Sequence, residues 1–513
     1  MRISSNLFFQ TGLNSINAQQ SDLMHLYQQV ASGQRMVTPA DDPLAAAQAI
    51  NISQSQSLNA RFAANRQVAT TNIGTALNAM DSVVTLMQDV KTQLVAAGNG
   101  TLSDADRATL SNVLVSARSS LLGLANSTDG SGQYLFSGAQ GGTAAYQEVG
   151  GKIVYMGDAG QRKIQADQTR QIPGSDVGSD IFNRAAPGTS GYLTRANTAD
   201  NIGTGLISTA TITDARGSNV GNAFTITFTS ATEYTVDVTN PAGQPVLPSI
   251  TGSYTPGTEA PLALPGGVQV KFSGAPEAGD TFTVDPISLP AYAATALTGN
   301  SNTATMSSPL AYDPALADSG NVFTIKYVQA TDSYEVDVKD AGGNPLATGV
   351  PASVDANGVM KLPYGMQVKV DGAPTDGDTF EVSAADPGAQ TDLNIFDTLD
   401  SIIAALASPM QDDPVATAKF QNTLASAMQR LDVNYNNVLT IRASMGSRLN
   451  EIDALDANGS MRALSYSSQL SKLEDVDYYT ATTQLQLRTT ALEAASLAFK
   501  KIQSIGLFNM SSN

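Results

Sequence analysis

The 513-residue chain has no cysteine and a single histidine, His25. Without thiols there can be no disulfide, no cysteine nucleophile and no cysteine metal site. His25 sits between Met24 and Leu26, where no second imidazole can join it at a metal and it is the only base for a serine triad. A helix-surface place suits it better. Phosphate loops of the GxxxxGK[ST] or GxGxxG kind are missing, as is a GxSxG elbow. No apolar run reaches the roughly 18 residues that a membrane span needs. Basic residues are scarce, with 28 Lys and Arg against 46 Asp and Glu, a formal net charge of −18. That balance repels nucleic acid and anionic membrane alike, so neither is expected as a partner. The amino terminus has one arginine and a short apolar cluster but no long hydrophobic region, unlike a conventional secretory signal peptide. No cofactor, metal or catalytic residue is singled out, and the chain reads as a non-enzyme.

What is present is heptad order at both ends. Phe9, Leu13, Ile16, Gln20, Leu23, Tyr27 and Val30 step alternately by four and three. Leu424, Met428, Leu431, Tyr435, Val438, Arg442, Met445, Leu449 and Ile452 keep the same step, as do Ile73, Leu77, Met80, Val84, Met87, Lys91 and Leu94. Such spacing returns to one helix face and reads as coiled coil. Matching seams at opposite ends imply that the termini come together and the middle is an insertion.

The chain divides into zones. A first helix ends near Gly33; Asp42 caps a second, which Pro43 opens and Gly98-Asn99-Gly100 closes. Ser103 and Asp104 start a third. Short strand runs follow, Tyr134-Leu135-Phe136 and Lys152-Ile153-Val154-Tyr155. Helices return at Asn394–Ala407 and from Pro414, with a break expected at Asn458-Gly459 before a last helix, Ser460–Ile505. Gln20, Thr480, Thr483 and Gln484 make the terminal seams poor in apolar area, which leaves open an ordinary intramolecular coiled coil or helices that order on assembly. Asn99-Gly100-Thr101 and Asn126-Ser127-Thr128 match a glycosylation sequon, a pattern common by chance.

Between the helical ends lies a repeat. Gly221-Asn222-Ala223-Phe224-Thr225-Ile226 recurs as Gly320-Asn321-Val322-Phe323-Thr324-Ile325, and Gly279-Asp280-Thr281-Phe282 as Gly377-Asp378-Thr379-Phe380. The alternation of apolar and polar residues predicts two tandem β domains. Asp280, Asp376 and Asp378 fit turn residues bonding their own backbone better than a calcium loop. The expected class is α+β multidomain, with terminal coiled-coil helices and a helical bundle from both chain ends and two tandem all-β domains inserted in the middle. The expected divisions are 1–40 with 460–513, a coiled coil; 41–190 with 390–459, a bundle with a small β-hairpin region; and β domains at 191–297 and 298–389.

Ala31-Ser32-Gly33-Gln34-Arg35, Thr38-Pro39-Ala40-Asp41-Asp42-Pro43, Tyr134-Leu135-Phe136-Ser137-Gly138 and Ser504-Ile505-Gly506-Leu507-Phe508-Asn509 resemble segments of the bacterial flagellin family, most closely its hook–filament junction members. The resemblance covers about residues 1–184 and 390–510. Flagellins proper usually carry an Asp-Asp-Ala-Ala-Gly run, and Pro43 departs from it. This implies a structural, extracellular part of the flagellum, an adaptor ring joining hook and filament, with flagellin itself as the alternative. It further implies export through the flagellar channel without a cleaved signal peptide. Implied partners are other copies in a ring, a neighbouring hook-associated protein, flagellin, and an export chaperone at the C-terminal helices. The implied inner-tube interface is Leu13, Ile16, Leu23, Tyr27 and Val30 with Leu485, Leu492, Phe499 and Ile502. Leu431, Tyr435, Val438, Met445, Leu449 and Ile452 are expected to pack on Ile73, Leu77, Met80, Val84 and Met87 as plain bundle core.

Overall fold

The computed structural model describes residues 5–186, 189, 191–215, 217–240, 245–287, 292–297, 299–301, 304–306, 309–311, 320–340, 342–356, 358–384 and 393–508. Helix α1 (Ser5–Ser32) stops at Gly33, whose φ of 72° is the left-handed conformation that ends helices without a Cβ penalty. Asp42 Oδ1 accepts the Ala45 amide at 3.0 Å, and Pro43 opens α2 (Pro43–Ala97). Ser103 and Asp106 close a reciprocal capping box at the start of α3 (Asp104–Ala125). The remaining helices are α4 (Gly178–Phe182), α5 (Ile395–Ala407, capped by the Asn394 side chain), α6 (Pro414–Glu474) and α7 (Tyr478–Phe508).

The expected break at Asn458-Gly459 does not occur: α6 runs on for 61 residues, and the break falls at Asp475–Asp477. Gly459 is there for closeness. A Cβ on it would meet Arg66 Nη2 at 2.5 Å, and its carbonyl accepts the Asn59 side-chain amide at 2.8 Å. Nor is Tyr134–Phe136 a strand. Tyr134 makes one isolated bridge to Thr128, and Leu135 and Phe136 turn inward as buried side chains.

Packing divides the chain into two units. One takes the chain up to Thr71, Lys163–Ile172, and the chain from Arg448 on; the other takes Asn72–Arg162 and Pro173–Ser447. This division runs through α2 and α6 rather than along the expected edges near residues 40 and 460. In the first unit Arg66, 2 % exposed, donates to Asp456 Oδ1 at 2.5 Å and to the Ala166 carbonyl at 2.8 Å. Arg462 binds both oxygens of Asp167 at 2.9 and 2.8 Å, and Asn65 reaches the Gln165 carbonyl at 2.9 Å. These bonds tie the 163–172 segment to α2 and α6.

The second unit holds the rest of α2 and α6, α3, α4, α5, an antiparallel hairpin of β1 (Tyr146–Val149) and β2 (Lys152–Tyr155), and two β modules. In the first module Tyr192–Ala196, Ala223–Phe228, Glu233–Thr239, Ile250–Ser253 and Thr281–Pro286 form one antiparallel sheet. Pairing runs from the 250 strand through the 233, 223 and 281 strands to the 192 strand. In the second, Tyr292–Ala296, Val322–Val328, Ser333–Lys339, Pro345–Ala352 and Thr379–Ala384 repeat that order strand for strand. Each five-stranded sheet covers a smaller one centred on Val268–Ser273 or Met366–Gly372. Because Tyr292–Ala296 pairs with Thr379–Ala384, the second module starts before the expected boundary at 297/298. The cores correspond position by position: Phe224, Ile226, Val236, Val238 and Phe282 against Phe323, Ile325, Val336, Val338 and Phe380.

The Gly-Asp turns are structural. Asp280 is fully buried, and its carboxylate accepts the Ile202 amide at 2.8 Å and the Glu277 amide at 3.0 Å. Asp378 accepts the Ser301 amide and hydroxyl, both at 2.7 Å, and the Thr375 amide at 2.9 Å. Asp376 Oδ1 accepts the Gln329 amide at 3.0 Å. Each carboxylate thus meets the amides of a chain crossing.

Candidate functional site

Helices α1 and α7 form an antiparallel hairpin within the first unit. A Cβ on Gly12 would lie 3.2 Å from the Phe499 ring, Asp22 pairs with Arg488 at 2.5 Å, and a Cβ on Gly33 would lie 3.0 Å from the Tyr478 hydroxyl. Ile16, Leu23 and Val30 on α1, and Leu485, Leu492 and Phe499 on α7, are half-buried. The Ile502 side chain lies outside the described residues. Leu13 and Tyr27, expected in the same seam, are each 50 % exposed, and Gln20 is exposed. The side chain that is buried is Leu26, at 7 %, with Gly12 and Gln19 in line with it at heptad spacing.

The sequence therefore carries two overlapping seams on α1. Ile16, Leu23 and Val30 hold position a of both. The hairpin uses position d (Gly12, Gln19, Leu26), one residue before position e (Leu13, Gln20, Tyr27). At 3.6 residues per turn d and e point about 100° apart, so an e stripe is left bare beside the occupied one. On α7 Leu487 and Leu497 are also exposed, at 65 % and 66 %. More than half of the exposed large apolar side chains among the described residues belong to this smaller unit.

The hairpin is held at its base by two crossing strands of chain. Arg35 N donates to the Glu474 carbonyl at 2.6 Å, Val476 N to the Gly33 carbonyl at 3.0 Å, and Arg35 Nε to the Leu473 carbonyl at 3.1 Å. Asp41 Oδ2 accepts the amides of Val37 and Thr38 at 2.9 and 2.8 Å, while its other oxygen meets His25 Nε2 at 3.1 Å. The Thr38 amide first, against a small cost of burial and with help from His25, holds the Asp41 carboxyl below the ordinary carboxylate value. Asp477 opens α7, and its carboxyl is lowered by the Thr480 hydroxyl and amide. The sole histidine thus lies against the carboxylate of the Asp41 turn.

In the second unit the a/d shift recurs in a closed form. Ile73, Met80 and Met87 are buried, and so are Ala76, Val83 and Val90 at position d; Leu77 and Val84, expected as partners, are half-buried at e. On α6 Leu431, Val438 and Met445 are buried, Ala427 and Asn434 fill the d positions between Leu424, Leu431 and Val438, and Tyr435 lies at the half-buried edge; further along α6, in the first unit, Ile452 is buried and Leu449 half-buried. The charged residues that interrupt the e stripe are paired across the helices, Lys91 with Asp432 at 2.5 Å and Arg442 with Asp81 at 2.6 Å, while Gln88 donates to the Tyr435 hydroxyl at 2.7 Å.

A set of amide side chains on α6 went unforeseen. Asn422 donates to the Gly205 carbonyl at 2.8 Å and accepts the Ile207 amide at 3.1 Å; Gln429 accepts the Thr194 amide at 3.2 Å and donates to the Tyr192 carbonyl. Asn437 donates to the carbonyls of Asp180 and Ile181 at 2.7 and 2.9 Å, and Asn434 to that of Leu393 at 2.8 Å. Together they pin the first β module and α4 to the helix. The available signal was the helix-averse run Asn434, Asn436, Asn437 inside a strong heptad, which a helix keeps only when those amides are used elsewhere.

Residues 3–141 match the bacterial flagellin N-terminal helical region. The chain is 24 % identical over 511 residues to flagellar hook-associated protein 3 of Escherichia coli strain K12, covering all of both chains. It is 37 % identical over 183 residues to flagellar hook-associated protein 3 of Salmonella typhimurium strain LT2, covering 36 % of this chain and 57 % of that one. Its fold is similar to the crystal structure of Xanthomonas campestris FlgL, with a TM-score of 0.54, 23 % identity, and coverage of 82 % of this chain and 99 % of that one.

Proposed function

We propose that this chain, which is similar to flagellar hook-associated protein 3, belongs to the flagellin family and is a structural component of the bacterial flagellum that joins hook to filament. The observation that carries the reading is the bare e stripe of α1, Leu13 and Tyr27, beside the a/d seam that α7 occupies. A helix with two adjacent apolar seams is built to contact a second neighbour, and a hairpin carrying one becomes part of a tube when copies stand side by side. Intramolecular packing supports the helices; neighbours bury the remainder.

In this reading copies of the chain form a ring. Its hook side meets another hook-associated protein and its filament side receives flagellin. The role is structural and non-catalytic, and the site is outside the cell. Before assembly the exposed apolar rows on α6 and α7, with Met461, Leu464, Tyr479, Leu487 and Leu497 more than half exposed, need covering, which suits a chaperone at the C-terminal helices.

Deleting the gene tests the reading. Hooks without filaments, with flagellin shed into the medium, are expected. Loss of the flagellin band itself would make the chain the filament subunit, and unchanged filaments would overturn the proposal.

A further inference from the structure

Asn-Gly occurs three times, at Asn99-Gly100, Asn357-Gly358 and Asn458-Gly459; Asn357 lies outside the described residues, and the first and last sites are chemically opposite. Asn99, Gly100 and Thr101 are exposed in the turn between α2 and α3. Asn99 Oδ1 accepts two hydrogen bonds, from the Thr101 amide at 3.2 Å and from the Thr101 hydroxyl at 2.9 Å. Among the described hydrogen bonds the Gly100 amide donates to none, and nothing lies within 4 Å of where a Gly100 Cβ would be. Gly459, in contrast, is buried within α6 against Arg66, with its carbonyl bonded to Asn59.

We propose that Asn99 is a self-modification site, at which the chain converts its own asparagine to a carboxylate through a cyclic imide. The Gly100 nitrogen loses its proton to solvent and attacks Asn99 Cγ. Negative charge then develops on Oδ1, where the two Thr101 donors are already aimed, an arrangement that stabilises an oxyanion. The tetrahedral centre collapses with cleavage of the Cγ–Nδ2 bond, and ammonia leaves with the proton taken from solvent. One water opens the five-membered ring at either carbonyl, leaving an aspartyl or isoaspartyl residue at 99. The balance is asparagine plus water giving carboxylate plus ammonium, with no oxidant or other co-reactant. Gly100 permits the ring because it brings no Cβ, whereas the helix around Asn458 fixes the backbone in a conformation that keeps Gly459 N away from Cγ.

The product carries a new negative charge two residues beyond the carboxyl end of α2, where the helix dipole opposes it. The Ser103 capping box of α3 begins four residues after the product, at the other end of the same turn. A subunit that stays in place after synthesis would accumulate the change with age.

The test is peptide mass spectrometry of the full-length folded chain held at mildly alkaline pH, with isoaspartate located by fragmentation. The expected result is a gain of one mass unit at Asn99, faster at higher pH, with Asn458 unchanged over the same period. Thr101→Val should slow the gain about three- to tenfold by removing the hydroxyl donor, and Gly100→Ala should slow it further, with circular dichroism confirming that both variants fold. An unmodified Asn99, an equal rate at Asn458, or a rate indifferent to Thr101→Val would overturn the proposal.

Discussion

Along α2 the side chains of Ile73, Met80, Val83, Met87 and Val90 are almost wholly removed from solvent, whereas among the described side chains of α1 only Leu26 is buried. Both helices follow one heptad rule and meet an antiparallel partner through positions a and d. They differ in what fills d and what stands at e. In α2 position d is Ala or Val, small enough for close approach, and the charges at Lys91 and Arg442 find acids across the interface. In α1 position d includes Gly12 and Gln19, and the larger apolar groups, Leu13 and Tyr27, stand at e with half their surface bare. In the proposed ring, a seam that puts its best residues outside is finished by a neighbour.

The largest effect should separate the two seams. Val83→Asp places an unpaired charge in a closed core and should cost about 3–5 kcal/mol, seen as a large fall in the denaturation midpoint. Tyr27→Asp should change stability by less than about 0.5 kcal/mol yet stop incorporation into flagella; Leu23→Asp should also stop it, leaving the middle of the chain folded and soluble. Equal loss of stability from Val83→Asp and Tyr27→Asp would erase the distinction. Next, Asn437→Ala leaves two α4 carbonyls without their donor and should cost about 1–3 kcal/mol in denaturant titration, an effect the open hairpin has no counterpart for. A neutral result would show that the amide set does not fasten the bundle.

A smaller effect lies in the second module. Burial works to raise the Asp378 carboxyl, but the Thr375 and Ser301 amides and the Ser301 hydroxyl outweigh it, so its pKa lies below the ordinary 3.8. A lowered folded pKa contributes stability above the unfolded value and loses it as pH falls through the folded one. Stability should thus be flat above about pH 5 and decline below about pH 4, with the acid decline shallower in Asp378→Asn, measured by thermal unfolding across pH. The smallest change belongs to Lys91→Ala, whose half-exposed ion pair is worth about 0–1 kcal/mol and fades with salt.

The helix ends, the two β modules and the position-a residues were legible because capping residues, an internal repeat and heptad spacing each have a local signature. Two features were not. Ile16, Leu23 and Val30 fit a +3 and a +4 step equally well, and apolar size favoured Leu13 and Tyr27 over Gly12 and Gln19. Interhelical closeness selects the smaller set, and that depends on the partner. Likewise Asn458-Gly459 has the composition of a break, but a glycine also lets Arg66 pack against a helix, and only the position of Arg66 decides between them. The amide set on α6 was hidden because its partners are backbone groups up to 257 residues away in the chain.

The cysteine-free sequence permits the most direct test of the open seam. Tyr27→Cys and, as the occupied-seam control, Leu26→Cys each supply a single thiol in the whole chain, to be labelled with a maleimide in the free subunit and in isolated flagella. The account predicts that position 27 reacts rapidly in the free subunit and is protected in flagella, while position 26 is slow in both. Equal, rapid labelling of position 27 in free subunit and flagella would contradict it.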